Sequence, residues 1–432
     1  MSLKAISFIG VGKYHPINYI WEEGEKEKSF ETHLFPLAVY KFFKPKKLYI
    51  FCTERTKTAK REGAKKTYVE EIEEYFKNFA EKGENFSYQF VDIPEGKNVE
   101  ELWEIFDRLS SVIEEEDELV IDVTHAFRSI PMFSLAVATY LKYTKRVSIK
   151  HIVYGAFEAS YEKEGKKFAP IFDLGLFLEI LKWLSASEKF LEFSYGITLG
   201  SILKETHTGL WKEKKSRAEE LPRKLKRVGG ALEGFSYAVW LAQPVEIMKR
   251  ANNLVKLLKE ALSEFEAWAK PFKVILERVL QRIERISYPE PEVLSEENLK
   301  VQKRICRFLL EQNLYMQAIA VAREWLISWI ILKSGNEEWI KNWRDNRKVR
   351  NFIEKDLGRI NAYYSKGNEK TLKEMQNKYI FKMTEEFDLK GMLTLLFDTR
   401  NEIAHCGMKK EAKPPEALLE NIKKVIEKIE KL

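Results

Sequence analysis

The β pattern of this 432-residue chain stops at Leu174, and that limit constrains its fold more than any other feature. Before it, Leu3 to Ile9, Lys47 to Cys52, Phe86 to Ile93, Glu118 to Val123 and Ser148 to Phe157 read as strands. Between them, Thr67 to Ala80 sets Val69, Ile72, Tyr75, Phe76 and Phe79 on one helical face. Val99 to Ile113 and Pro131 to Tyr143 read as further helices, and Gly165 to Asp173 as a hairpin or edge segment. Strands separated by helices predict a parallel sheet covered on both faces. From Leu174 to Leu432 the chain reads as almost all helix. The fold class is therefore α/β plus all-α.

Tyr288-Pro289-Glu290-Pro291 is the best break within the helical part, because two prolines interrupt a helix and stiffen a connection. The expected organisation is an α/β domain over 1–175, a helical connector over 176–290 and a C-terminal helical domain over 291–432. After Pro414-Pro415, Leu418, Ile422, Val425, Ile429 and Leu432 form a stripe at alternating four and three spacing. It suits packing on a partner helix or on the chain's own core.

Composition narrows the class. Apolar residues make up 45%, enough for a core, and charged residues 32%, above the usual share of about 25%. Lys and Glu supply most of the charge, a balance common in heat-adapted proteins. That excludes a disordered chain. The longest uncharged apolar run, about Ser129 to Leu141, falls short of the ~20 residues of a bilayer span. Met1 to Ile20 lacks the basic-apolar-small layout of a signal peptide. Cys52, Cys306 and Cys406 lie far apart with no CxxC pair. No disulfide framework or zinc site is expected, and the localisation is expected to be the reducing cytoplasm, with no membrane. A net charge of +7 permits nucleic-acid binding without requiring it.

Two places carry chemistry. In a doubly wound sheet ligands bind beyond the carboxyl ends of the strands. Three strands here end in Gly10-Val11-Gly12-Lys13, in Thr53 to Thr56, and in Thr124-His125-Ala126-Phe127-Arg128-Ser129. Gly10 and Gly12 allow a close backbone approach. Thr53, Thr56, Thr124 and Ser129 offer hydroxyls, and Lys13 and Arg128 positive charge, a set suited to a nucleotide with several phosphates. No third glycine completes a dinucleotide fingerprint, and no GK[ST] makes a P-loop. Plain turns of an α/β domain are the alternative for each loop, and Asp122 reads as the anchor of the turn behind it.

The second place is Arg400-Asn401-Glu402-Ile403-Ala404-His405, followed by Cys406-Gly407. Metal-free RNA cleavage needs a proton taken from a 2′-hydroxyl and one given to the leaving oxygen, and imidazole titrates in the right range. A guanidinium stabilises charge growing on the phosphoryl oxygens. Residues five apart on a helix point roughly 140° apart. Either the helix ends between them, with Gly407 as a cap, or two copies meet in a symmetric dimer. A surface Arg and a helix-capping His are the plain alternative.

Taken together, FIGVGKY, DVTHAFRSIPMF, YGAFEA, QAIAVAREWLISW and RNEIAHCG resemble the ancillary ribonucleases of type III CRISPR systems, in their Csx-type branch. These join a Rossmann-like CARF sensor sheet, a helical or helix-turn-helix-like connector and a HEPN helical bundle. The resemblance implies a homodimer whose sensor binds cyclic tetra-adenylate or cyclic hexa-adenylate made by the interference complex. Gly10, Gly12, Thr53, Thr124, His125, Arg128 and Ser129 would line that pocket. Arg400, Asn401 and His405, with their partner-chain copies, would cleave single-stranded RNA without metal and leave a 2′,3′-cyclic phosphate. A slow ring nuclease activity near Thr124 and His125 is part of the same implication. The competing readings are a ligand-sensing transcriptional regulator with an inert C-terminal domain, and a nucleotide enzyme with its chemistry in the N-terminal crevice. Two basic stretches, Lys212 to Arg227 and Lys341 to Arg359, read as solvated faces or RNA contacts. Trp325 and Trp329, one turn apart, read as core.

Overall fold

A computed structural model describes residues 2–23, 26–80, 86–125, 129–213, 221–367, 369–375, 377–408 and 410–432. The chain divides into two compact units, Met1–Leu181 and Lys182–Leu432.

The first unit holds one sheet. Its strands are β1 (Leu3–Phe8), β2 (Ile17–Glu23), β3 (Lys26–Thr32), β4 (Lys47–Cys52), β5 (Ser87–Asp92), β6 (Glu118–Asp122), β7 (Ser148–Gly155), β8 (Tyr161–Lys163) and β9 (Lys166–Asp173). They lie in the order β3-β2-β9-β7-β6-β1-β4-β5, with β8 paired to β9. β5, β4, β1, β6 and β7 are mutually parallel. Here the sheet departs from the all-parallel expectation: β9 runs antiparallel to β7, and β2–β3 form an antiparallel hairpin on the far edge. The central strands bury both faces, and alternate residues divide between two cores. Ala5, Leu48, Ile50 and Val120 face one side, against α1 (Phe35–Phe43) and α3 (Tyr68–Ala80). Ile6, Tyr49, Phe51, Leu119 and Ile121 face the other, against α4 (Val99–Ser111) and α5 (Ser129–Thr144). The short α2 (Glu54–Lys57) follows β4. Chain order reverses between β1 and β6, so the crevice at their carboxyl ends is the switch point.

The hairpin and α1 are additions to the sequence reading. α1 carries Pro36 in its first turn and is closed by left-handed Lys44, and seven of its nine residues are buried, so no polar face marks it as a helix. β3 reads KEKSFET; charges on an edge strand block pairing with other chains and also hide its hydrophobic period.

The second unit is helical. α6 (Leu176–Phe193) crosses the division, placing Leu178 in the sheet's core and Trp183, Ala186 and Phe190 in the helical one. Then follow α7 (Ile197–Glu213), α8 (Leu225–Trp240), α9 (Pro244–Glu260), α10 (Leu262–Trp268) and α11 (Lys270–Glu284). α12 (Glu296–Glu311), α13 (Tyr315–Lys333), α14 (Glu337–Lys341), α15 (Asn351–Lys366), α16 (Glu369–Lys373), α17 (Lys378–Glu386), α18 (Lys390–Ala404) and α19 (Pro415–Lys431) complete it. One continuous cluster of buried side chains runs from Trp183 to Ile429. Tyr288 to Pro291 therefore lies inside this unit, tied by the Asn298 side-chain amide to the Pro291 carbonyl at 3.0 Å.

α13 is long and apolar enough to cross a bilayer by length and composition, a candidate the uncharged-run argument passed over because Arg323 and Glu324 interrupt it. It is the central helix of the unit. Trp325 and Trp329 are buried, as read, and Trp325 Nε1 donates to the Leu299 carbonyl at 3.0 Å. Ile422, Val425 and Ile429 of the C-terminal stripe are buried against this same core, with α19 lying on α12, α13 and α18.

Candidate functional site

The crevice at the switch point holds a cavity of about 200 Å³ lined by Lys13, Tyr14, His15, Tyr19, His33, Thr124, His125, Tyr154, Gly155, Phe157 and Glu158. The loop after β1 is held by a tyrosine network. Gly10 N–H donates to Tyr14 Oη at 2.9 Å, and Tyr68 Oη donates to the Gly12 carbonyl at 3.1 Å. A Cβ on Gly10 would stand 2.5 Å from the His125 carbonyl oxygen, so this glycine admits the neighbouring loop rather than a ligand. Gly12 faces the Tyr14 ring. Lys13 is exposed and paired with Glu62 at 3.1 Å.

After β6, Asp122 is fully buried, accepts from the Ser7 hydroxyl and takes the Thr124 N–H at 2.7 Å, which anchors the turn as expected. Burial pushes its carboxyl up to about 6 against those hydrogen bonds. Thr124 Oγ1 accepts from Gly155 N–H at 2.8 Å, joining the β6 and β7 ends. His125 stacks on Tyr14 with ring centres 3.9 Å apart, and its buried Nε2 has no hydrogen-bond partner among the described residues. Burial holds its pKa down at about 3, so the ring is neutral.

Of the residues read as ligand contacts, the cavity collects Lys13, Thr124 and His125, with Gly10 packed behind His125. The Thr56 hydroxyl is buried and donates to the Thr53 carbonyl at 2.8 Å, which closes the turn after β4. Thr53 is also buried, and its hydroxyl has no hydrogen-bond partner among the described residues. Both differ from the expected ligand-facing hydroxyls because this turn folds back on itself. Arg128 lies outside the described residues, as does the Ser129 side chain, although Ser129 begins α5. The aromatic wall of Tyr14, Tyr19, Tyr154 and Phe157, with His33 and Glu158, is what residue-by-residue reading missed. Its signal stood in FIGVGKY and YGAFEA, where large rings flank the glycines.

Residues 4–158 match the family model described as the CARF domain of the CRISPR system endoribonuclease Csx1, and residues 179–292 match that of the second domain of CRISPR-associated protein MJ1674. These matches support a CRISPR-associated CARF protein. The curated MJ1674 of Methanocaldococcus jannaschii is 25% identical over 198 residues, covering 45% of this chain and 27% of that protein. The chain thus spans little more than a quarter of the curated relative's length. Enterococcus italicus Csm6 bound to cyclic hexa-2′-fluoro-hexa-dAMP aligns over 100% of this chain and 93% of its own, with 9% identity and a TM-score of 0.41. The cavity where β1 and β6 end lies within the segment matched by the first of the two family models. Among the described residues, no three His, Cys, Asp or Glu side chains group as metal ligands.

The second candidate element lies beyond both matched segments. α18 ends at Ala404, between Arg400 and His405. His405 is its C-cap, donating its N–H to the Asn401 carbonyl at 3.0 Å, and Cys406 (φ 53°) and Gly407 (φ 70°) turn the chain left-handed. Thr399 and Glu402 are buried, whereas Arg400 and His405 are exposed and Asn401 half-buried. Asn401 Oδ1 lies 3.5 Å from Arg400 Nη1. His405 is thus the last residue on the helical hydrogen-bond ladder, and the chain leaves the helix directly after it.

Several cations of the basic stretches have structural work. Arg350 is largely buried and bonds Glu324, Ser328 and the Trp343 carbonyl, and Trp343 is itself core. Arg359 pairs with buried Asp356 at 2.8 Å. At the first stretch the Glu264 carboxylate accepts the N–H groups of Arg223, Lys224 and Leu225, capping the start of α8. Residues 214–220 lie outside the described residues.

Proposed function

We propose that this chain is a cyclic-oligoadenylate-activated endoribonuclease of type III CRISPR defence, cleaving single-stranded RNA without metal at an Arg/His site that two HEPN-type C-terminal domains share. The observation that carries the reading is the end of α18 between Arg400 and His405, which leaves a guanidinium and an imidazole both exposed. In this mechanism His405 moves the proton between the 2′-hydroxyl and the leaving 5′-oxygen, and Arg400, oriented by Asn401, stabilises the phosphoryl charge. The product is a 2′,3′-cyclic phosphate. The matched Csx1 description, which names an endoribonuclease, supports the reaction class.

For the sensor, the stacked Tyr14–His125 pair, Tyr154 and Phe157 suit an adenine ring, and Lys13 and Thr124 a phosphate. A cavity of about 200 Å³ is smaller than the ~300 Å³ at the low end of small-molecule sites. Each chain therefore takes part of the ring and a second copy takes the rest, which supports a two-fold arrangement.

The test incubates unstructured RNA in EDTA with cyclic tetra-adenylate, with cyclic hexa-adenylate and with neither. Cleavage is expected only with one of the rings. His405→Ala, lacking its proton carrier, is expected to lose about 100-fold or more while still binding the ring. Equal cleavage without any ring, or by His405→Ala, would overturn the reading.

A further inference from the structure

α12 carries Lys300, Lys303, Arg304 and Arg307 at i, i+3, i+4 and i+7, the spacing that aligns side chains along one helical face. Together with Arg285, beyond the end of α11, they line a cavity of about 280 Å³ in the second unit, where Glu430 of α19 is the single acid of the lining. We propose that this cavity is a contact site for the phosphodiester backbone of single-stranded RNA, separate from the Arg400/His405 element. The inference deepens the RNase reading by naming where the substrate is held.

Three observations support it. First, the cations exceed the acids that reach them. Arg307 forms a two-pronged pair with Glu430, Arg285 meets Glu311 at 2.6 Å, and Lys300 and Arg304 share Glu297 at 3.3 and 3.8 Å. Within ion-pair distance the five cations thus meet three carboxylates, with Glu296 and Glu427 acting from further off. Second, among the described residues no acid stands within ion-pair distance of Lys303, although Glu430 and Glu296 act on it from further off; its ammonium lies 5.6 Å from the centre of the Trp325 ring, and burial lowers its pKa. A phosphate entering the cavity would give that charge its counter-ion. Third, Lys300 and Arg307 are separated by about 10 Å along the helix axis, a span longer than one phosphate and suited to successive ones. The remaining exposed surface of Lys300 and Arg304 keeps the row accessible.

The test measures binding, not cleavage. Fluorescence anisotropy of a labelled single-stranded RNA is recorded with the full chain across a salt series, in EDTA, for wild type and for the double variant K300Q/R304Q. Both side chains are about half exposed, so the fold is expected to persist, which circular dichroism checks. The expected result is binding at least fivefold weaker, with the slope of log K against log salt reduced by about 1.4, or ~0.7 per lost phosphate contact. Glu430→Gln removes the acid that competes for Arg307 and is expected to tighten binding, an effect unfolding cannot mimic. An unchanged affinity and slope in the double variant, a weakened affinity with unchanged slope, or a wild type that binds no RNA would each overturn the inference. Cleavage by wild type against His405→Ala is scored separately, so the inference and the RNase reading fail on different measurements.

Discussion

His125 and Asp122 sit three residues apart on the same strand end, and burial drives their proton equilibria in opposite directions. His125 has a folded pKa of about 3 against an ordinary value of about 6.5, so below 6.5 the unfolded chain binds a proton the folded chain refuses. Its contribution is intact above pH 6.5 and falls as pH drops, by at most about 1.4 kcal/mol per unit. Asp122 has a folded pKa of about 6 against about 3.9. The folded chain holds its extra proton, and that stability is lost as pH rises from 4 to 6. In wild type the two slopes offset each other. Urea midpoints at pH 4, 5 and 6 are expected to fall more steeply with acid in Asp122→Asn than in wild type, and less steeply in His125→Phe. Identical pH profiles in all three proteins would contradict the burial of these groups. At the other candidate element, Arg400→Lys keeps the charge but not the planar fork, and cleavage is expected to drop about tenfold or more, read from single-turnover rates.

Elements are where the sequence was most and least legible. β1, β4 and β6 announced themselves because their residues are buried on both faces and form short apolar runs. β3 and α1 did not, one being a charged edge and the other apolar all round, so neither shows the period that marks its type. The end of α18 was legible, because Gly407 is a stop signal in the string itself. The cavity was half legible. Gly10 was read as a ligand approach, yet it is the backbone of His125, distant in sequence, that fills the space. Gly10→Ala must push that carbonyl away and is expected to cost about 1–3 kcal/mol in urea unfolding. Glu264→Ala strips the three N–H groups at the start of α8 of their acceptor and is expected to cost about 1 kcal/mol.

At the scale of the whole molecule, the chain combines a sheet unit holding the cavity with a helical unit holding the Arg/His element. If a ring-shaped activator needs two cavities, specific RNA cleavage is expected to fall on dilution, and to be restored by raising protein at fixed ring concentration. A ring that binds the folded state alone would also stabilise it by mass action. At one hundred times its Kd it should add about 2.7 kcal/mol of stability, visible as a rise in thermal midpoint. Tyr14→Ala, which removes the stacking partner of His125, should reduce that rise without altering RNA affinity measured in the absence of ring.

Of the three thiols, those of Cys52 and Cys306 are buried and pushed up to about 12, whereas Cys406 is exposed on the left-handed turn directly after His405. A maleimide dye or nitroxide offered to the unmodified protein should therefore attach at that one position. The native chain thus comes with its own attachment point for a spectroscopic ruler: in a two-fold pair, the spacing between two such labels reports how far apart the imidazoles stand with and without messenger.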